Sequence, residues 1–78
     1  MSIRTQETGV RLESLLSSRE LEVLELTSLG LTNVDVGVRL NLSVHGVKFH
    51  LASIYRKLGV SNRTEAATVY LRGMPRES

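Results

Sequence analysis

The chain has 78 residues, a formal net charge of +2 and no cysteine. A chain this short buries one modest core and has no room for an enclosed small-molecule cavity, so its function is expected on the surface. Disulfides and thiolate metal sites are excluded, no apolar run approaches the roughly 18 residues of a membrane span, and the N-terminus lacks the hydrophobic stretch of a secretion signal. We therefore expect a soluble, intracellular and cytoplasmic protein.

Charge is distributed unevenly along the chain. Residues 1–38 contain three arginines and six acidic residues, whereas residues 39–78 contain seven basic and two acidic residues. This asymmetry predicts that the second half faces a polyanion and that the first half does not. A basic surface that meets only solvent is the plain alternative.

The N-terminal 15 residues show little hydrophobic periodicity. Their mixture of Ser, Thr, Gly and charged residues predicts a flexible arm or linker over residues 1–15. A first helix is predicted to begin at Ser17, because Ser17 and Glu20 have the spacing of a capping box. It is expected to end at Gly30.

Two further helices follow across a short turn. Thr32 and Asp35 form a weaker version of the same cap and predict a second helix that runs to about residue 40 or 41. Ser43 is the expected cap of a third helix. Gly59 stands where a left-handed residue would end it.

The fourth helix is predicted to begin at Asn62, with Glu65 three residues later, and to end near Gly73. No alternating strand pattern is present in the sequence, so the fold class is predicted to be all-α, a four-helix bundle. The domain is expected to cover residues 16–73, followed by a tail over residues 74–78.

The third helix is amphipathic at about 100° per residue. Its predicted buried face consists of Val44, Val47, Leu51, Ile54 and Leu58. The opposite side carries His45, Phe49, Ala52, Ser53 and Arg56, flanked by Lys48 on one edge and by His50 and Lys57 on the other. Phe49, the only phenylalanine, therefore points outward among basic groups, which predicts a partner surface there. Alternatively, Phe49 folds down over a neighbouring helix.

The second and third helices, joined across Asn41 and Leu42, match a helix-turn-helix, whose second helix enters the major groove of DNA. The surrounding sequence makes this match specific. Over residues 16–72 the chain resembles the LuxR-type (GerE-type) DNA-binding domain. The shared elements are Arg19-Glu20 with Val23-Leu24, Gly30-x-Thr32-Asn33, Ser43, Val47-Lys48-x-His50, Lys57-Leu58-Gly59-Val60 and Asn62-Arg63-x-Glu65-Ala66.

This resemblance implies a four-helix, sequence-specific transcriptional regulator, either a stand-alone GerE-type protein or the C-terminal output domain of a larger LuxR-family or response-regulator protein. Its expected partners are double-stranded DNA, a second copy of the chain and RNA polymerase. Two departures stand out, Gly46 where the family usually has Thr and Gly37 where it usually has Ala, and both lower intrinsic helix stability. Gly37 is also expected to let the two helices approach more closely.

The predicted contacts fall into three groups. Bases are expected to be contacted by His45, Lys48, Phe49 and Ala52. Phosphates are expected to be contacted by Thr32, Asn33, Ser43, His50, Arg56, Lys57 and Arg63. The outer face of the fourth helix, expected to form the dimer contact, consists of Thr64, Ala67, Thr68 and Leu71; an ordinary solvated face is the alternative.

Other functions have less support in the sequence. His45 and His50 are five residues apart and do not form the i, i+4 metal pair of a zincin helix, and no nucleophile elbow or phosphate loop is present. We therefore expect neither an enzyme nor a cofactor or metal. A protein-interaction module that uses Leu26 or Leu29 remains an alternative. A sigma-factor-like helix-turn-helix is a third reading, against which the start of the fourth helix argues.

Overall fold

A computed structural model describes residues 11–73 of the chain. The elements in chain order are α1 (Leu12–Leu15), α2 (Ser18–Ser28), α3 (Asn33–Leu40), α4 (Val44–Leu58) and α5 (Arg63–Gly73). Every regular element in this range is a helix, so the predicted all-α class is confirmed. The four predicted helices correspond to α2 to α5, and α1 is a fifth that the sequence pattern did not indicate.

Helix α1 corrects the prediction that the N-terminal arm extends to residue 15. Leu12 and Leu16 are only 8% and 4% exposed and belong to the hydrophobic core. Leu12 also lies against the end of α5, where its Cδ1 atom would be 2.9 Å from a Cβ placed on Gly73. A single helical turn is too short to show a periodicity, which explains why it was missed. Residues 1–10 of the predicted arm, and the predicted tail 74–78, lie outside the described residues.

The predicted start signals of the longer helices are confirmed. In α2 the Ser17 hydroxyl accepts a hydrogen bond from the Glu20 N–H, and the Glu20 carboxylate accepts one from the Ser17 N–H. Thr32 and Asp35 make the same reciprocal pair at α3. Ser43 accepts from the Gly46 N–H at α4. Each bond satisfies a backbone group that the first helical turn leaves without an intrahelical partner.

The core lies between α2 and the other helices. Its fully buried side chains come from α2, α3 and α4, and they are Val23, Leu24, Val36, Val47 and Ile54. Helix α2 packs against α3, α4 and α5, and α4 packs against α2, α3 and α5. Because these contacts hold α4 along one side only, its other side is free to carry a function.

A tight turn joins α3 to α4. Asn41 adopts the left-handed conformation (φ 58°, ψ 47°), and the next residue, Leu42, donates its N–H to the Gly37 carbonyl oxygen at 2.8 Å. Gly37 is buried, and a Cβ atom on it would lie 2.5 Å from the Leu42 carbonyl oxygen. The absence of a side chain at Gly37 thus allows the backbones of α3 and the turn to approach closely. Gly59 ends α4 with φ 71°, as predicted.

Candidate nucleic-acid interface

The outer face of α4 is exposed over most of its length. His45, Lys48, Phe49, Ala52 and Arg56 are all exposed, whereas Val47, Leu51 and Ile54 on the opposite face are buried. Phe49 is 72% exposed, and its ring forms a T-shaped pair with that of the neighbouring His50, with the ring centroids 5.9 Å apart. The alternative in which Phe49 folds over another helix is therefore wrong. An aromatic ring held in solvent by a rigid helix is typical of a partner surface.

Val44 is a correction to the predicted buried face. It is 38% exposed, and Leu58 at the other end of α4 is only partly buried. Both residues lie in terminal turns of α4. The helices that cover the middle of α4 do not fully cover these ends, and helical periodicity alone does not reveal where the covering helices stop.

Helix α4 carries positive charge and no acidic residue. Lys48 and Arg56 are exposed on its outer face, and neither forms an ion pair within residues 11–73. Along α4, Lys48 directly precedes Phe49, and Arg56 follows Ala52 by about one turn. Such a face offers charges for phosphate groups and apolar atoms for base edges.

The two capping hydroxyls lie at the starts of the helices of the helix-turn-helix. Thr32 and Ser43 are exposed, and each uses its oxygen as an acceptor within its own helix. A hydroxyl that accepts one hydrogen bond retains its own proton for donation. Both side chains therefore remain able to donate to a phosphate oxygen while they cap their helices.

Asn33 and Arg63 are joined to each other. The Arg63 guanidinium donates to the Leu31 carbonyl oxygen at 2.9 Å and to the Asn33 side-chain oxygen. This pair of bonds ties the first turn of α5 to the turn that precedes α3. Both residues were predicted to contact phosphates, and in this structure they have each other as partners.

Lys57 is also engaged inside the molecule. Its ammonium group donates to both carboxylate oxygens of Glu20, at 2.9 and 3.2 Å. The Lys57 side chain is 40% exposed, whereas that of Glu20 is only 7% exposed. The predicted phosphate contact of Lys57 must therefore compete with this ion pair.

Glu20 receives two further hydrogen bonds, from the Ser17 N–H at 2.9 Å and from the Ser53 hydroxyl at 2.7 Å. Burial alone would raise the pKa of Glu20, but the bonds from Ser17, Ser53 and Lys57 outweigh burial and lower the pKa to about 2. The sequence indicates Glu20 as a capping residue and as part of the family resemblance, but it gives no partner for Ser53. One signal was present, because the buried stripe of α2 (Glu20, Val23, Leu24 and Thr27) contains a carboxylate.

The outer face of α5 agrees with the periodicity on which its prediction rests. Thr64, Thr68 and Leu71 are exposed, Leu71 to 60%, and Ala67 is partly exposed. Ala66 on the opposite side is buried at 2%. Other exposed apolar residues are Leu29 at the end of α2 and Val34 and Val38, which lie one turn apart on α3.

Within the described range 11–73 no group of three or more metal-ligating side chains comes together. A shallow groove of about 320 Å³ lies between α1, α4 and α5, and its lining is mainly aliphatic but includes Lys57 and Arg72. Over the same range, no helix has both the length and the apolar composition needed to cross a membrane.

Comparison with known proteins gives the family. The model of the bacterial regulatory proteins of the luxR family, GerE, matches residues 14–70. The chain belongs to this family. Among its relatives, the transcriptional regulatory protein LiaR of Bacillus subtilis is 46% identical over 52 residues, which are 67% of this chain and 25% of LiaR.

Two other relatives are regulators as well. The nitrate/nitrite response regulator protein NarP of Escherichia coli is 39% identical over 76% of this chain and 27% of its own length. The transcriptional activator protein EsaR of Pantoea stewartii is 43% identical over 69% of this chain and 22% of its own length. The chain thus spans about a quarter of the length of these curated relatives.

Membership in the luxR family confirms the resemblance on which the sequence interpretation rests. The chain contains the helix-turn-helix domain of this family, and the relatives named above are transcriptional regulators. The roles of individual side chains and the dimer contact stay predictions.

Proposed function

We propose that the chain binds double-stranded DNA sequence-specifically, with α4 in the major groove, as the DNA-binding part of a transcriptional regulator. The observation that carries this proposal is the outer face of α4, where a 72% exposed Phe49 and exposed cations lie together on a helix without acidic residues. A major groove admits one α-helix and presents thymine methyl groups that an aromatic ring can contact.

Reading and positioning are divided among different side chains. Base contacts are proposed for His45, Lys48, Phe49 and Ala52, since all four lie on the exposed face of α4. Lys48 has the chemistry to reach the acceptor atoms of guanine, while Phe49 and Ala52 offer only apolar contact. Because Ala52 is short, discrimination at its base position is expected to be modest.

Phosphate contacts are proposed for Thr32, Asn33, Ser43, His50, Arg56, Lys57 and Arg63. Arg56 is the strongest candidate, because it is exposed and has no ion-pair partner within residues 11–73. Thr32 and Ser43 each keep a hydroxyl proton to donate. Lys57 already binds Glu20, and Arg63 already binds Leu31 and Asn33, so a phosphate would have to replace or share these partners.

A binding experiment tests the proposal. The 78-residue chain would select its preferred sites from a pool of random duplexes, and its affinity for a selected and a shuffled duplex would be measured by fluorescence anisotropy over a range of salt concentrations. We expect the selected duplex to bind at least about 1000-fold more tightly than the shuffled one. Arg56→Ala should flatten the slope of log K against log salt by about 0.9. A chain indifferent to all duplexes at low salt would contradict the proposal.

We further propose that two copies pair through α5 on a palindromic site. The small and apolar outer face of Thr64, Ala67, Thr68 and Leu71 supports this, because a two-fold contact must be self-complementary and Leu71 is 60% exposed. Half-sites would then lie about one helical turn apart, roughly 34–36 Å.

Sedimentation of the chain on a duplex with two half-sites tests the dimer. Wild-type protein should load as a pair, and Leu71→Asp should load one copy at a time while still binding a single half-site. Leu29→Asp is the matched control, since Leu29 is similarly exposed but lies at the end of α2. Independent loading of the wild-type chain would sink the dimer proposal. We also propose that the regulator contacts RNA polymerase and works in the cytoplasm.

A further inference from the structure

Helix α4 is held in the domain by two different kinds of contact. Val47, Leu51 and Ile54 pack into the core, and this packing decides which face of α4 is buried. The side-chain hydrogen bonds from α4 to other helices, within the described residues, all meet at one carboxylate of α2. That carboxylate belongs to Glu20, and the donors are Ser53 and Lys57.

The geometry of this network restricts rotation of α4 about its axis. Ser53 and Lys57 are one turn apart on the same edge of α4, and they bind the two oxygens of a single carboxylate. That carboxylate is itself fixed to the first turn of α2 by the Ser17 N–H. A rotation of about 20° would move a side-chain tip, about 5–6 Å from the helix axis, by about 2 Å. A hydrogen bond to a base edge does not survive such a shift.

We infer that Glu20 is a positioning residue of the DNA interface, which sets the rotation of α4 through Ser53 and Lys57 and so decides which side chains reach the bases. The inference rests on the proposed DNA-binding function. It also removes Lys57 from the phosphate contacts proposed above and assigns it to Glu20 in the bound state.

The charges support this assignment. A buried carboxylate without its cationic partner is costly, so releasing Lys57 to a phosphate would leave Glu20 uncompensated. A phosphate at the surface lies in a higher dielectric than the buried Glu20 carboxylate. Its attraction for Lys57 is therefore weaker. The pair is therefore expected to persist on DNA, and Lys57 adds little to the salt dependence of binding.

Two substitutions and their control test the inference with the selected and shuffled duplexes. Glu20→Gln should lower the ratio of specific to non-specific affinity about tenfold, as expected when one base contact is misplaced, without weakening binding to the shuffled duplex. Lys57→Gln should also lower the ratio but leave the salt slope unchanged. Glu25→Gln changes the net charge as Glu20→Gln does, at an exposed position of the same helix, and should leave the ratio at the wild-type value.

Specificity separates positioning from a general loss of structure. A partly unfolded variant loses affinity for both duplexes by the same factor. The double variant that combines Glu20→Gln with Lys57→Gln should have a ratio of specific to non-specific affinity no lower than the worse single variant, because Glu20 and Lys57 act as one unit. Ser53→Ala, which removes one hydrogen bond and no charge, provides a milder variant if Glu20→Gln does not fold. It should lower the ratio in the same direction.

Several results would overturn the inference. One is a ratio of specific to non-specific affinity in Glu20→Gln and Ser53→Ala that equals the wild-type ratio, and another is an equal loss of affinity for both duplexes. The third is a salt slope that flattens by about 0.9 in Lys57→Gln, which would make Lys57 a phosphate contact. None of these concerns the proposed function itself, which fails only if the wild-type chain shows no preference among duplexes.

Discussion

At the scale of single residues, exposure and internal partners sort the predicted contacts. Phe49 and Arg56 are exposed, and within residues 11–73 neither has a polar or ionic tie to another helix. Lys57 is bound to Glu20, and Arg63 is bound to the turn before α3. Among the cationic side chains, Arg56 thus has no internal ion-pair partner within residues 11–73, whereas Lys57 and Arg63 help to hold the domain together.

Phe49→Ala tests direct reading of the bases. Because Phe49 is 72% exposed, the substitution should leave the free energy of unfolding nearly unchanged. Binding to the selected duplex should weaken by roughly 1–3 kcal/mol, with little change on shuffled DNA. Val38→Ala is the control, since Val38 is 77% exposed on α3. Equal losses on the two duplexes in an anisotropy titration would argue against a base contact.

At the scale of the helices, two glycines in and after α4 have opposite expected effects. A Cβ on Gly46 would meet the Ser43 hydroxyl at 3.4 Å, which is an ordinary contact. Gly46→Ala should therefore stabilise the fold by about 0.5–1 kcal/mol, the gain in helix propensity. Gly59→Ala should destabilise it by about 1–2 kcal/mol, because the left-handed conformation at φ 71° strains a residue with a Cβ. Urea unfolding measures both, and a destabilised Gly46→Ala would contradict the prediction.

Helix α1 is the element that the sequence pattern did not indicate, and its contribution is measurable. Leu12→Ala should cost about 2–3 kcal/mol of unfolding free energy, because Leu12 is 8% exposed and packs against the end of α5. Leu15→Ala, at a position 39% exposed in the same helical turn, should cost clearly less. Equal small effects in urea unfolding would mean that α1 is not part of the core.

At the scale of the whole molecule, acid should unfold the domain through Glu20. Its pKa is lowered to about 2 in the folded chain, from 4.5 for an ordinary glutamate. A lowered pKa gives stability that is complete above about pH 5 and is lost as the pH falls towards 2. The thermal midpoint followed by circular dichroism should decline from pH 6 to pH 3, and less steeply in Glu20→Gln than in Glu25→Gln. Identical pH profiles for the two variants would contradict this assignment.

The sequence by itself determined the local structure and the family. The cap at Ser17, the left-handed end at Gly59 and the outward position of Phe49 follow from interactions within a few residues, and the structure confirms each. The family follows from motifs in the chain, and the family comparison confirms it.

Only the tertiary structure decided which polar side chains have partners inside the domain. Glu20 lies 33 and 37 residues from Ser53 and Lys57, and no local pattern reports contacts across such a separation. The burial of Leu12 likewise depends on α5, at the other end of the domain. Helix caps and helical faces are set by neighbours in the chain. The partners of polar side chains and the burial of apolar ones are set by which helices pack together, so only the fold reveals them.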